Sequence, residues 1–234
     1  MKDNKTIFPI AYIKNDFLSK FGVPRQSGIA NSVISKIVFE KQFQGVDYFR
    51  GLEEYSHIWL IWGFSLVGDN DFSATVRPPR LGGNKRMGVF ATRSPFRPNH
   101  LGLSSVKIER IEKDRDHGIT IYVSGADLVD GTPIYDIKPY LSFTDSHPGS
   151  INGFASNTGF CELEVKFCND TLNIIDREDI DQIVSILSQD PRPSYQNDKE
   201  RTYCFEYGKY KISFKVSDNE LIVTDLKKLQ EGSI

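Results

Sequence analysis

The sequence predicts a mainly β fold, with an N-terminal antiparallel single-sheet β-barrel followed by a small α+β unit. Two observations predict the first part. Short segments rich in β-branched and aromatic residues recur between Gly, Pro, Asn and Asp clusters over the first 125 residues. No long helical period separates them, which argues against βαβ crossovers and for a curled or closed antiparallel sheet. The third observation is a 3.6-residue apolar pattern that comes only after residue 150.

In chain order, Ile7–Ile13, Val33–Phe39, His57–Phe64, Met87–Thr92, Leu103–Ile111 and Ile119–Ser124 read as strands. The stretch 145–159 is rich in Ser, Asn and Gly, a composition that buries little apolar surface, and it reads as a linker. It divides a unit of residues 1–147 from one of residues 148–234. Ile180, Ile183, Val184 and Leu187 then follow an amphipathic helical spacing that Pro191 ends. Thr202–Tyr207, Lys209–Val216 and Leu221–Asp225 read as three meandering strands, with turns at Tyr207-Gly208-Lys209 and Asp218-Asn219.

A chain of 234 residues with 39% hydrophobic and 26% charged residues is long enough to bury a core of its own. Its longest apolar stretch, Ile58–Val67, holds Gly63 and Ser65 and is about half the length that a bilayer needs. Ile7–Ile13 is broken by Pro9 and followed by Lys14 and Asp16, which does not read as a signal peptide. Cys161, Cys168 and Cys204 form no CxxC and leave one over, so we expect a reduced, cytoplasmic protein without disulfides or a metal site.

Charge is segregated. From Phe72 to Ile108 there is no Asp or Glu for 37 residues, while Arg77, Arg80, Lys85, Arg86, Arg93, Arg97 and Lys107 give the window a charge of +7. The total is −2, so the rest of the chain carries −9. The window is also dense in Pro and Gly, which stiffen and bend the backbone, and arginines on stiffened turns lose less freedom on gripping phosphate. This points to a polyanion, of which nucleic acid is the commonest. Leu81-Gly82-Gly83-Asn84 lacks the GKS/T ending of a phosphate-binding loop for nucleoside triphosphates, and no strand runs into GxGxG with an acid downstream.

Gly88-Val89-Phe90-Ala91-Thr92-Arg93-Ser94-Pro95-Phe96-Arg97-Pro98-Asn99 fits the pattern GxFxxRSxxRPN, and further motifs stand around it. They are Pro24-Arg25-Gln26, Arg50-Gly51-Leu52-Glu53, Ser56-His57-Ile58-Trp59, Arg77-Pro78-Pro79-Arg80, Asp127–Pro133 and Asp136–Tyr140. Together they resemble the TrmO-type tRNA methyltransferases over residues 7–145, and Asp190–Tyr195 resembles the C-terminal extension of the longer bacterial members. The resemblance implies a β-barrel enzyme, usually a homodimer, that uses S-adenosylmethionine to methylate N6 of threonylcarbamoyladenosine at tRNA position 37. It also implies a donor cradle of Pro24, Arg25, Gln26, His57, Phe64, Arg93, Leu103, Leu128, Asp130, Gly131, Thr132 and Pro133.

The residue types suit that chemistry. Gln26 offers both donor and acceptor, and Arg93 can pair bidentately with a carboxylate. The purine N6 is a weak nucleophile until an acceptor takes its hydrogen bond and then its proton. Asp127 and Asp130 are the candidates, although Asp130-Gly131 is also a strong hairpin-turn signal. Leu103 and Leu128 either cover the donor's adenine or pack in the core, and His57 in an apolar strand is either a ligand group or a core histidine. Ser56-His57 with Asp127 does not make a hydrolase, since no GxSxG elbow accompanies it. Arg77, Arg80, Lys85, Arg86, Arg97 and Arg192 form the expected RNA-gripping rim, with Phe96 or Tyr135 as a stacking platform. A non-catalytic RNA-binding module and a small-molecule methyltransferase are the alternative readings.

Overall fold

The computed structural model describes residues 6–229 except 69, 83, 115–117, 158–161, 169 and 193–197, together with the backbone but not the side chains of 80, 114 and 157. Cys161 and Pro193-Ser194-Tyr195, singled out above, lie outside the described residues.

Burial alternates along Ala11–Lys14, Ile34–Phe39 and His57–Gly63, so one face of each lies inside, whereas Gly118–Ser124 is buried at all but its first residue. The elements in order are β1 (Ala11–Lys14), β2 (Ile34–Phe39), β3 (His57–Gly63), β4 (Thr75–Val76), β5 (Met87–Gly88), β6 (Leu101–Asp114), β7 (Gly118–Ser124) and β8 (Pro133–Pro139). Helix α1 (Ser142–Asp145) follows. Six of these strands pair antiparallel in the ring β1-β2-β7-β6-β3-β8 and back to β1, a closed barrel. Ile13, Ile37, Ile58, Leu60, Trp62, Val106, Ile121, Val123, Leu128 and Ile134 fill its interior. β4 and β5 form a separate two-stranded hairpin.

The remaining elements are β9 (Glu164–Phe167), α2 (Ile180–Leu187), β10 (Tyr203–Tyr207), β11 (Tyr210–Ser217) and β12 (Glu220–Lys228). They form a sheet of order β10-β11-β12-β9, with β9 parallel to β12 and α2 turning Ile183, Ile186 and Leu187 into the core. That core also takes Phe17, Ala30 and Val33 from the segment between β1 and β2. Phe17 packs on Tyr207 with ring centroids 5.2 Å apart, and Phe21 on Phe205 at 5.7 Å. Segment 16–33 therefore lies between the two sheets. Among the described residues no helix is long and apolar enough to cross a membrane.

The β-dominant reading agrees with these elements, and the helix and the three C-terminal strands fall where the pattern puts them. Three differences have physical causes. Met87–Thr92 is a strand only at Met87–Gly88, because Val89–Ala91 turns into a 3-10 helix and Thr92 Oγ1 donates to the Val89 carbonyl at 2.8 Å. β8 escapes the strand pattern because Pro133 opens it, Pro139 ends it, and only Ile134 along it is fully buried. β9 is a four-residue edge strand with two charges, the usual protected form of an edge.

Candidate functional site

The loop carrying Arg93 is held by its own polar side chains. Ser94 N donates to Thr92 Oγ1 at 3.2 Å, Phe96 N to Ser94 Oγ at 3.3 Å, and Arg97 Nη1 to the Thr92 carbonyl at 3.3 Å. His100, at φ 49°, places Nδ1 2.8 Å from the Pro95 carbonyl. The Ser and Arg of the motif thus build the loop, and Arg93 is left exposed at its edge. Its Nη1 donates to Gln26 Oε1, while Gln26 Nε2 donates to the Arg25 carbonyl.

Gln26 is carried by segment 16–33, whose back face the C-terminal sheet covers. Gly22 fits there because a Cβ would stand 2.6 Å from the Phe205 ring. Arg25 turns away from Gln26 and donates from Nη2 to the carbonyls of Asp190 and Arg192. On the barrel side, Gly28 N donates to the Gly125 carbonyl at 2.8 Å. Gly125 has φ 77°, and a Cβ on it would approach Gly28 Cα to 3.1 Å, so the contact needs glycine.

Two residues beyond Gly125 stands Asp127. Ser104 Oγ donates to its Oδ1 at 2.5 Å, and Trp62 Nε1 donates to Ser104 Oγ at 2.9 Å. Burial holds the Asp127 carboxyl above the usual carboxylate range, opposed by the Ser104 hydrogen bond, the Arg93 charge and the Ser27 backbone. Gln26, Ser27, Arg93, Asp127, Ser104 and Trp62 are therefore brought together from five separate stretches of chain. Phe64 joins them, its ring 4.4 Å from that of Trp62. Ser104 and Trp62 carry no chemical motif, and only the register Trp62↔Gly102 across β3 and β6 puts them beside Asp127.

The other expected cradle residues spread out. Leu128 is 1% exposed in the barrel core, so only its backbone is available; its carbonyl accepts from Asn15 Nδ2 at 2.9 Å. Asp130 faces the end of β1, accepting from Asn15 N at 3.0 Å and from Lys14 Nζ at 3.4 Å. Gly131 has φ 75° and donates to the Ile13 carbonyl, so the Asp-Gly pair does serve as a turn. Thr132 is buried with Oγ1 on the Val129 carbonyl, Pro133 opens β8, and Pro24 is buried. Asn15, which ties this loop down, carried no signal beyond following a short strand.

His57 begins β3 and lies about 20 Å from Gly63 at the other end of the strand. It is a half-buried outward residue rather than a core histidine. Its Nδ1 is 2.9 Å from Ser56 Oγ, and it lines a groove of about 630 Å³ with Ser27, Gly28, Trp59, Lys107 and Asp145, so the groove reaches the segment that carries Gln26. Leu103 points outward from β6 opposite Ile61 and is 57% exposed, an apolar surface open to a ligand.

Of the expected rim, Arg77, Lys85 and Arg86 are exposed on the connection between β4 and β5. Arg86 Nη1 also donates to Thr75 Oγ1 at 3.1 Å. The Arg80 backbone belongs to the 3-10 turn Pro79–Leu81 of the same connection, and its side chain lies outside the description. Arg192 differs: it is 8% exposed and forks onto Asp190 at 2.8 and 2.9 Å. Phe96 is 45% exposed, whereas Tyr135 packs on Gly63. Among the described residues no group of three or more His, Cys, Asp or Glu is placed to hold a metal ion.

Comparison with known proteins finds that residues 12–146 match the tRNA-methyltransferase O N-terminal domain and residues 161–229 the TrmO C-terminal domain. The chain is 37% identical over 224 residues to the tRNA (adenine(37)-N6)-methyltransferase of Escherichia coli, covering 89% of this chain and 92% of that protein. A Pseudomonas aeruginosa protein with a provisional name as an S-adenosylmethionine-dependent methyltransferase is 36% identical over 197 residues, 82% of this chain and 83% of its own. A crystal structure of TrmO from P. aeruginosa superposes with a TM-score of 0.78 at 28% identity, over 96% of this chain and 97% of that one.

Proposed function

The chain belongs to the tRNA-methyltransferase O family, and from that membership we propose that it methylates N6 of threonylcarbamoyladenosine at position 37 of tRNA with S-adenosylmethionine as donor. The observation that carries the reading is the convergence of Arg93, Gln26 and Asp127, with the Arg93 loop following in the chain the β4–β5 hairpin whose connection carries arginines.

The residues fit the donor. Arg93 has guanidinium N–H groups beyond the one given to Gln26, aimed from an exposed position where a carboxylate can take them. The half-buried Asp127 supplies negative charge next to a site for a sulfonium, and exposed Leu103 with Phe64 supplies apolar cover. When bound, the donor supplies an activated methyl carbon whose bonding pair returns to sulfur as nitrogen attacks. The protein's own contribution is placement and a proton acceptor. Asp127 accepts the N6 hydrogen bond and then the proton, and Asp130 shapes the loop from which Asp127 projects. Arg77, Arg80, Lys85 and Arg86 hold anticodon-loop phosphates, and a loop base costs a few kcal/mol or less to extrude.

We further take residues 1–147 as the methyltransferase unit and 148–234 as the unit that backs segment 16–33, in a cytoplasmic homodimer. The test is a methyl-transfer assay with purified protein, labelled donor and tRNA, followed by nucleoside mass spectrometry. Label on N6 of threonylcarbamoyladenosine is expected. Donor-independent tRNA binding without transfer would leave an RNA-binding module, and label confined to small molecules would place the activity elsewhere.

A further inference from the structure

Trp62, Ser104 and Asp127 form a hydrogen-bond chain whose direction is not free. An indole nitrogen only donates, so Ser104 Oγ must accept at 2.9 Å. A hydroxyl has one proton, and that proton then goes to Asp127 Oδ1 at 2.5 Å. Ser104 is 1% exposed and Trp62 6%, so water does not compete for either group.

We infer that this chain selects the oxygen of Asp127 that takes the substrate's proton: Oδ1 is held as an acceptor, and Oδ2 receives the proton. Ser104 and Trp62 are then positioning residues for the reaction. A proton on Oδ1 would point at the Ser104 hydroxyl proton and break the chain, whereas a proton on Oδ2 leaves both hydrogen bonds intact. As the N6 lone pair forms the new bond to carbon, the N6 proton passes to Oδ2 and neutralises the carboxylate. The groups that favour the ionised form of that carboxylate against burial are Ser104, its own backbone, the Arg93 charge and the Ser27 backbone. The inference rests on the methyltransferase reading.

Three variants test it. Ser104→Ala is expected to lower kcat by roughly ten- to a hundredfold, the scale of a lost hydrogen bond to a charged group, with KM for tRNA changed less than about twofold. The acid limb of its kcat–pH profile moves to higher pH, because the ionised carboxylate has lost a donor. Ser104→Thr restores both. Trp62→Phe, which keeps an aromatic ring but no N–H, shifts the limb in the same direction and decides the matter if Ser104→Ala does not fold. An unmoved limb in the folded variants overturns the inference. Asp127→Asn tests the underlying reading separately. It can keep the Ser104 bond through its amide oxygen, so it should retain donor binding and lose turnover. Full turnover there would remove Asp127 as base, whatever Ser104 does.

Discussion

Trp62 packs directly on Gly102 across the β3–β6 pairing: a Cβ at residue 102 would stand 2.3 Å from indole Cε2 and 2.4 Å from Cζ2. The ring is 6% exposed and also faces Phe64, so it has nowhere to retreat. Gly102→Ala is therefore expected to destabilise the protein by about 1–3 kcal/mol, as overpacking of a filled core does. The chain contains two tryptophans, Trp59 and Trp62. A shifted emission maximum together with a lower denaturation midpoint checks it, and wild-type values for both would show that the indole repacks freely.

Arg93 and Gln26 are 67 residues apart in the chain and joined by a hydrogen bond, at the edge of the proposed donor site. Arg93→Ala removes both the donor to Gln26 and the fork for a carboxylate. Calorimetry should show S-adenosylmethionine affinity falling roughly tenfold or more, the scale of a charge-assisted bond, while the thermal midpoint hardly moves because Arg93 is exposed. Unchanged donor affinity would detach Arg93 from the cradle.

The hairpin connection makes a different demand. Lys85 and Arg86 are exposed and lie in a window without acids, so each phosphate they contact contributes to counterion release. Lys85→Ala with Arg86→Ala should weaken tRNA binding and lower the slope of log K against log salt by about 0.7 per lost contact, with donor affinity intact. A slope equal to wild type would mean that these cations face solvent in the complex.

The barrel strands β2, β3, β6 and β7 were legible because each is rich in β-branched or aromatic residues between turn-forming clusters, and β2 also alternates buried and exposed residues, whereas β7 is buried almost throughout. The basic window was legible because it depends only on composition. The Ser104–Asp127 contact was not. It comes from strand register and from a loop crossing 23 residues later, and no local spacing encodes either. Arg192 was misleading for a related reason: a Pro-flanked arginine looks like a surface cation until its partner Asp190, two residues back, is seen to turn it inward at φ 50°.

Acid should weaken the tie between Asp176 and the C-terminal sheet. Lys209 and Lys228 each place Nζ 2.7 Å from Asp176, holding its carboxyl well below the usual carboxylate range. A depressed folded-state pKa gives stability that is present above the unfolded value of about 3.9 and is lost as pH falls toward the folded one. Asp176→Asn should therefore reduce the difference in urea midpoint between pH 7 and pH 3. An unaltered difference would show that the two lysines are solvated in solution.

Arg192 separates a tether from an RNA contact. Its guanidinium forks onto Asp190, its carbonyl accepts from Arg25, and Arg25 neighbours Gln26, so the 190–192 turn braces the segment that carries the proposed donor site. The Asp190 side chain is 32% exposed, so the carboxylate left without Arg192 is partly solvated and the cost is about 1–3 kcal/mol. For a chain of this length that is a fall of roughly 2–12 °C in midpoint. Arg192→Ala should show this fall together with weaker donor binding, while the salt slope of tRNA binding stays at the wild-type value. A reduced slope with an unchanged midpoint would instead place Arg192 on the phosphates, and segment 16–33 would then be braced by the Phe17–Tyr207 and Phe21–Phe205 contacts without it.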